Sequence, residues 1–248
     1  MAIDLLYKAM CGFSAKSGER LDAIYYSLID FIAGYLDWTG HPVLGWKHSK
    51  EENMKFQEMM MIAFECISEG IEERGWCDIF GDIFMAYLAR KDSLGQCFTP
   101  DAMCNVVARD LLSGVDKPQK GPCGSFGEKI TISEPSCGSG RLALALGHLI
   151  VERFNEYPYI VCEDIDPVCV RQTAINLAVH GMYGEVMCHD TLSEPAHVRF
   201  GYIVNEGLYP SREGLPTLRF SENPKHFIGA QRWKSMERKE VKQLSLFD

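Results

Sequence analysis

Apolar residues return every three or four positions through the first ninety or so residues. Leu21, Ile24, Tyr25, Leu28, Ile32 and Tyr35 form one such series, and Phe56, Met59, Met60, Ala63, Phe64 and Ile67 form another. This is the stripe of a helix laid on a core. Gly40 and Pro42 interrupt the first helical stretch, and Asp78–Leu88 predicts one more helix before a polar turn. Thr99, Pro100 and Asp101 then read as a helix start, with Met103, Val106, Val107 and Leu111 as its expected buried face. Residues 113–128, rich in Gly, Pro, Lys and Ser, predict a loop. Beyond it the pattern changes. Short β-branched runs at 130–134, 159–165, 185–189 and 200–204 each end in polar residues, and helical stretches follow the first two. Strands alternating with helices predict a parallel α/β sheet with its ligand along the strands' C-terminal edge.

The composition suits a globular chain: 46% of the 248 residues are hydrophobic and 24% charged, so a sizeable core is available. No uninterrupted apolar run of membrane-spanning length occurs and the N-terminus lacks a signal pattern, so a cytoplasmic protein with no membrane association is expected. The ten cysteines show no Cys-x-x-Cys pair, which favours reduced, buried thiols and argues against a zinc site, so no metal is expected. A net charge of −9 argues against DNA binding by the surface as a whole. Residues 225–242 run the other way, with six basic side chains against two acidic ones.

The segment from Ile130 to Gly140 is a strand, an acid, a small-residue loop and, from Arg141, an apolar helix. The glycines let a ligand approach the backbone, and the new helix offers unpaired N–H groups. Three further stretches keep order with it: Gly95-Gln-Cys-Phe-Thr-Pro100, Glu163-Asp-Ile-Asp-Pro167 followed by Ala174, Asn176, Leu177 and Gly181, and Asp190 with Leu192. Together they resemble the N6-adenine DNA methyltransferases, especially the modification subunits of type I restriction-modification systems. The resemblance runs from about Asp78 to Tyr209 and implies a Rossmann-like core that binds S-adenosylmethionine (SAM). In it Gln96, Phe98 and Thr99 would cover the methionine end. Glu134, Pro135, Ser136, Cys137, Gly138, Ser139 and Gly140 would form the cofactor loop, with Glu134 meeting the ammonium. Asp164 would accept from the ribose hydroxyls, Ile165 would lie on the adenine, and Asp190 would accept from its amino group. The implied division is a helical region 1–92, a SAM-binding core 93–210 shortened at its C-terminal side, and an irregular basic tail 211–248.

The family carries Asn/Asp-Pro-Pro-Tyr/Phe after its fourth strand, to hold the target amine and stack on a flipped base. Here the chain reads Asn205-Glu-Gly-Leu-Tyr209, without the prolines. Asn205 or Glu206 is therefore the candidate acceptor and Tyr209 the stacking ring. The last residues contain Gln243, Leu244, Leu246 and Phe247, resembling the peptide with which bacterial DNA-processing proteins dock on the replication sliding clamp. Two functions follow. One is a DNA methyltransferase acting on adenine N6, with sequence specificity supplied by another subunit. The alternative is a catalytically silent, methyltransferase-like accessory protein docked on the clamp.

Overall fold

The computed structural model describes residues 2–40, 48–89, 97–192, 197–206 and 215–231. Gln96, Tyr209 and the tail residues Gln243, Leu244, Leu246 and Phe247 lie outside these.

The N-terminal half is helical: α1 (Ala2–Ser17), α2 (Leu21–Leu36), α3 (Lys50–Arg74) and the short α4 (Ile79–Ile83), which passes into a π-helical turn at Phe84–Leu88. Ser49 and Glu52 bond each other's backbone N–H to start α3, and Gly75, at φ 82°, ends it. Of the α2 series, Ile24, Tyr25, Leu28 and Ile32 are buried, whereas Tyr35 is exposed. Helix α5 (Asp101–Leu111) begins one residue later than the sequence suggests, with Pro100 as its N-cap. Its expected face is also reversed. Cys104 and Ala108 are buried against the fold, while Met103, Val106 and Leu111 are 53%, 61% and 56% exposed. Small residues at i and i+4 let α5 approach α6 closely, and the larger side chains then point outward.

The sheet has six strands in sequence order: β1 (Lys120–Pro122), β2 (Glu128–Glu134), β3 (Tyr159–Asp164), β4 (Tyr183–Cys188), β5 (Phe200–Val204) and β6 (Leu218–Ser221). The crossovers are α6 (Arg141–Phe154) and α7 (Pro167–Val179). Only β2, β3 and β4 are parallel. Strand β1, inside the stretch expected to be a loop, forms an antiparallel hairpin with β2 around Gly124 and Gly127, both at positive φ. Strands β5 and β6 are antiparallel too, and β6 lies in the stretch expected to be irregular.

Among the described residues, all seven α-helices contribute to one core on a single face of the sheet. Helix α2 packs on α7, which lies across β4 and β5, and the Tyr25 hydroxyl donates to Phe80 O at 3.1 Å. The opposite face has a smaller apolar cluster, Tyr159, Val161, Tyr183, Met187 and Ile203, covered by Phe126, Phe227 and Ala230. That cover is fixed by the fully buried Glu185, whose carboxylate accepts from Tyr159 Oη at 2.9 Å, Ile228 N at 2.8 Å and Gly229 N. The described residues thus form a mixed α/β, Rossmann-like core behind a helical N-terminal region.

Candidate cofactor site

The site is built where β2, β3 and β4 end together. Cys137 N donates to Glu163 O and His189 N to Asp164 O, each at 2.9 Å, so the three strand ends are tied into one edge. Between β2 and α6 the loop turns through Gly138 (φ 55°) and Gly140 (φ 85°). A Cβ at Gly138 would stand 3.1 Å from Phe98, and one at Gly140 3.0 Å from Thr173, so both positions need glycine for φ and for space.

Helix α7 holds this loop from behind. Thr173 Oγ1 donates to Gly138 O and Asn176 Nδ2 to Ser139 O, both at 2.8 Å. The same Asn176 amide reaches Asp78 Oδ1 at 2.8 Å. Asp78, fully buried, also caps Gly81 N and accepts from Arg141 Nε at 2.8 Å. Arg141 continues to Asp82 at 2.6 Å and Asp101 at 3.3 Å. Burial pushes Asp82 up to about 6, against the pull of Arg141. The loop is thereby clamped between α7 and the N-terminal helical region. Neither Asp78 nor Arg141 stood out in the sequence. Arg141 directly follows the glycines, and that adjacency was the available clue.

Cys97, Phe98, Thr99, Glu134, Ser136, Cys137, Gly138, Ser139, Arg141 and Leu142 line a cavity of about 100 Å³ at this edge. Ser139 Oγ is buried there without a hydrogen-bond partner. Burial pushes the Glu134 carboxyl up to about 7. Asp164 sits beside the cavity. Its Oδ2 accepts from Gly138 N at 2.8 Å and its Oδ1 from Asp166 N at 2.9 Å, and burial raises it above the ordinary range despite these bonds. Each carboxylate oxygen keeps a second lone pair for a ligand. Next to it Ile165 is 63% exposed, an apolar side chain left on the surface at the strand edge. Asp190 is exposed, and its Oδ1 accepts from Leu192 N at 3.0 Å. Pro135 is exposed on the loop.

Of the sequence-predicted cofactor residues, Phe98, Thr99, Glu134 to Gly140, Asp164, Ile165 and Asp190 therefore share one edge. The two described candidates for catalysis do not. Strand β5 pairs Phe200 with Cys188 and Val204 with Gly184, so it runs away from the cofactor edge. Asn205 follows at the far end of the sheet, about 17 Å along the strand direction. It is fully buried at φ 55°. Its amide nitrogen donates to Ala178 O at 3.0 Å and Met182 O at 2.8 Å, and its oxygen accepts from Thr217 N at 2.9 Å. Glu206 is forked by the Arg219 guanidinium, with Nη2 to Oε1 at 3.1 Å. The sequence expectation that Asn205 or Glu206 accepts the hydrogens of a target amine does not fit this geometry: both side chains are engaged in the fold at the end of the sheet opposite the cofactor edge.

A family model for N-6 DNA methylases matches residues 76–226, more than half of the chain. This chain belongs to the N-6 DNA methylase family. Its matched span takes in both the clamp of the cofactor loop and the antiparallel strands beyond it. Among solved structures, the chain is similar to a class I S-adenosylmethionine-dependent methyltransferase from Listeria monocytogenes, at 15% identity and a TM-score of 0.50. The match covers 77% of this chain and 54% of that one, so this chain spans about half of its structural neighbour, and the likeness bears on the fold alone. No curated protein matches the chain.

SAM is the cofactor that family and fold imply. The residues present fit its amino-acid end: a cavity of about 100 Å³ with an unpaired Ser139 hydroxyl and the Glu134 carboxyl, whose pKa burial raises. When bound, SAM supplies an electrophilic methyl group. No described helix is long and apolar enough to cross a membrane.

Proposed function

We propose that this methylase-family chain holds SAM along the β2–β4 edge and serves adenine-N6 methylation of DNA as the cofactor-binding member of a partnership. Glu134 would bind the ammonium, Asp164 the ribose hydroxyls, Ile165 the adenine face and Asp190 its amino group. Phe98 and Thr99 would close over the methionine end, a role the sequence also gives to Gln96. A carboxylate accepting two hydroxyl hydrogens is a charge-assisted pair of the stronger kind. The observation that carries the partnership is Asn205. Its buried amide is bonded to three backbone groups at the opposite end of the sheet, so it is not placed to aim a target amine at the methyl. Tyr209 keeps its sequence-based role as stacking ring in this reading, and the acceptor for the amine would come from another subunit that also reads the DNA.

The test is calorimetric titration of SAM together with a tritiated-methyl transfer assay on DNA. Saturable SAM binding without transfer by the chain alone supports the reading. Transfer by the purified chain alone that persists in Asn205→Ala would leave SAM binding standing and remove the need for a partner's acceptor. Absence of SAM binding would remove the whole reading. That last outcome would favour the accessory function, recruited through Gln243, Leu244, Leu246 and Phe247. Retention on immobilised sliding clamp, compared between the full chain and one ending at Lys242, tests it directly.

A further inference from the structure

We propose that Glu19, His48 and Glu52 form a binding site for one divalent transition-metal ion, with zinc the best chemical fit. The three residues come from the turn between α1 and α2 and from the start of α3, on the helical region away from the cofactor edge. His48 Nδ1 stands 3.8 Å from Glu19 Oε1 and 3.9 Å from Glu52 Oε2. One ligand atom from each residue lies within 4.8 Å of the others.

The orientation of the ring is set from behind. Nε2 lies 3.2 Å from Ser27 Oγ, and the ring packs on Phe56 with centroids 4.6 Å apart. In the tautomer that donates to Ser27, the Nδ1 lone pair points at two carboxylates. A divalent cation standing among the three groups would take the Nδ1 lone pair and one oxygen from each carboxylate. A second-shell partner on the far nitrogen is the habit of metal-binding histidines. Glu52 has the same kind of support, since its Oε2 accepts from Ser49 N at 2.6 Å within the capping box of α3. Nitrogen and carboxylate oxygens are ordinary zinc ligands, and bonds of about 2.1 Å in a tetrahedron bring ligand atoms to about 3.4 Å from one another. Rotation of Glu19, with Glu52 Oε2 keeping its bond to Ser49 N and offering its second lone pair, narrows the remaining gap. Their side chains are 34% and 33% exposed while the imidazole is 11% exposed, which leaves one open side for a water as fourth ligand. A bound ion would pin the α1–α2 turn to the N-terminus of α3.

The test uses the full chain without an affinity tag, stripped with a chelator and titrated calorimetrically with zinc. Glu19→Gln and His48→Ala are titrated alongside, with circular dichroism to check folding; Glu19→Gln preserves the imidazole and its bond to Ser27. One equivalent of zinc per chain is expected, with affinity at least tenfold weaker in both variants and a cobalt spectrum free of thiolate charge-transfer bands. No saturable binding by the wild type, or binding unchanged in folded Glu19→Gln, overturns the proposal. A thiolate band on cobalt also overturns it, because it assigns the metal to cysteines such as the exposed Cys97.

Discussion

Glu134 makes the cofactor site sensitive to pH in the physiological range. It ends β2, lines the cavity, and burial alone pushes it from an ordinary 4.5 up to about 7. A cationic ammonium placed against it favours the ionised form and draws its pKa back down. Binding must then expel a proton wherever the free protein holds one. With a free-state pKa near 7, SAM affinity should be about tenfold weaker at pH 6 than at pH 8, equivalent to about 1.4 kcal/mol. At pH 7 about half a proton should leave per binding event. Calorimetry in two buffers of different ionisation enthalpy counts that proton. Glu134→Gln removes Glu134's share and leaves the ligand's own titration as the baseline. The variant should bind about as weakly as the wild type does at low pH, with little further pH dependence. An equal pH slope in wild type and Glu134→Gln would refute the reasoning. The sign for stability is the opposite. A carboxyl with a raised folded pKa binds its proton more tightly in the native state, so unliganded protein should lose stability as pH rises from about 4.5 to about 7. The full shift corresponds to at most about 3 kcal/mol.

Three substitutions extend the test. Asp164→Ala should abolish detectable SAM binding in the same titration while shifting the urea midpoint little, since only Gly138 N and Asp166 N lose a partner. Asn205→Ala should destabilise by about 3–5 kcal/mol in urea, because buried backbone groups lose their bonds and alanine is strained at φ 55°, yet leave SAM affinity within about twofold; a large loss of affinity without loss of stability would return Asn205 to the cofactor edge. Arg141→Ala should cost about 3–5 kcal/mol, since it strands the fully buried Asp78 carboxylate, and a loss under about 1 kcal/mol would show that Gly81 N and Asn176 satisfy that charge alone.

What the sequence disclosed was chemistry with short reach. The β2–loop–α6 unit is legible because its strand, acid and glycines are adjacent, and because Asp164 and Asp190 mark strand ends at similar distance. The clamp behind the loop was not legible, since Asp78 is 63 residues from Arg141 and 98 from Asn176. The face of α5 was misread for a different reason. Periodicity locates an apolar stripe without saying whether bulk or closeness decides the packing, and here Cys104 and Ala108 were selected by closeness.

The direction of β5 is the deepest of these losses, because an alternating strand reads alike from both ends. Phe200–Val204 could have joined the sheet either way, and its neighbours decide. Only eleven residues separate Cys188 from Phe200, whereas a parallel return needs a crossover of about a dozen or more, usually a helix. The short connection therefore favours the antiparallel ladder from Cys188–Phe200 to Gly184–Val204. Asn205 then arrives beside the α7–β4 turn, where its amide donates to the carbonyls of Ala178 and Met182, and an asparagine tolerates its left-handed backbone at φ 55°. The residue that resembled a catalytic amide is thus explained by the length of the preceding loop. With β5 on the outer edge of β4, the shared edge of β2, β3 and β4 stays together and Asn205 lies at the other end of the sheet.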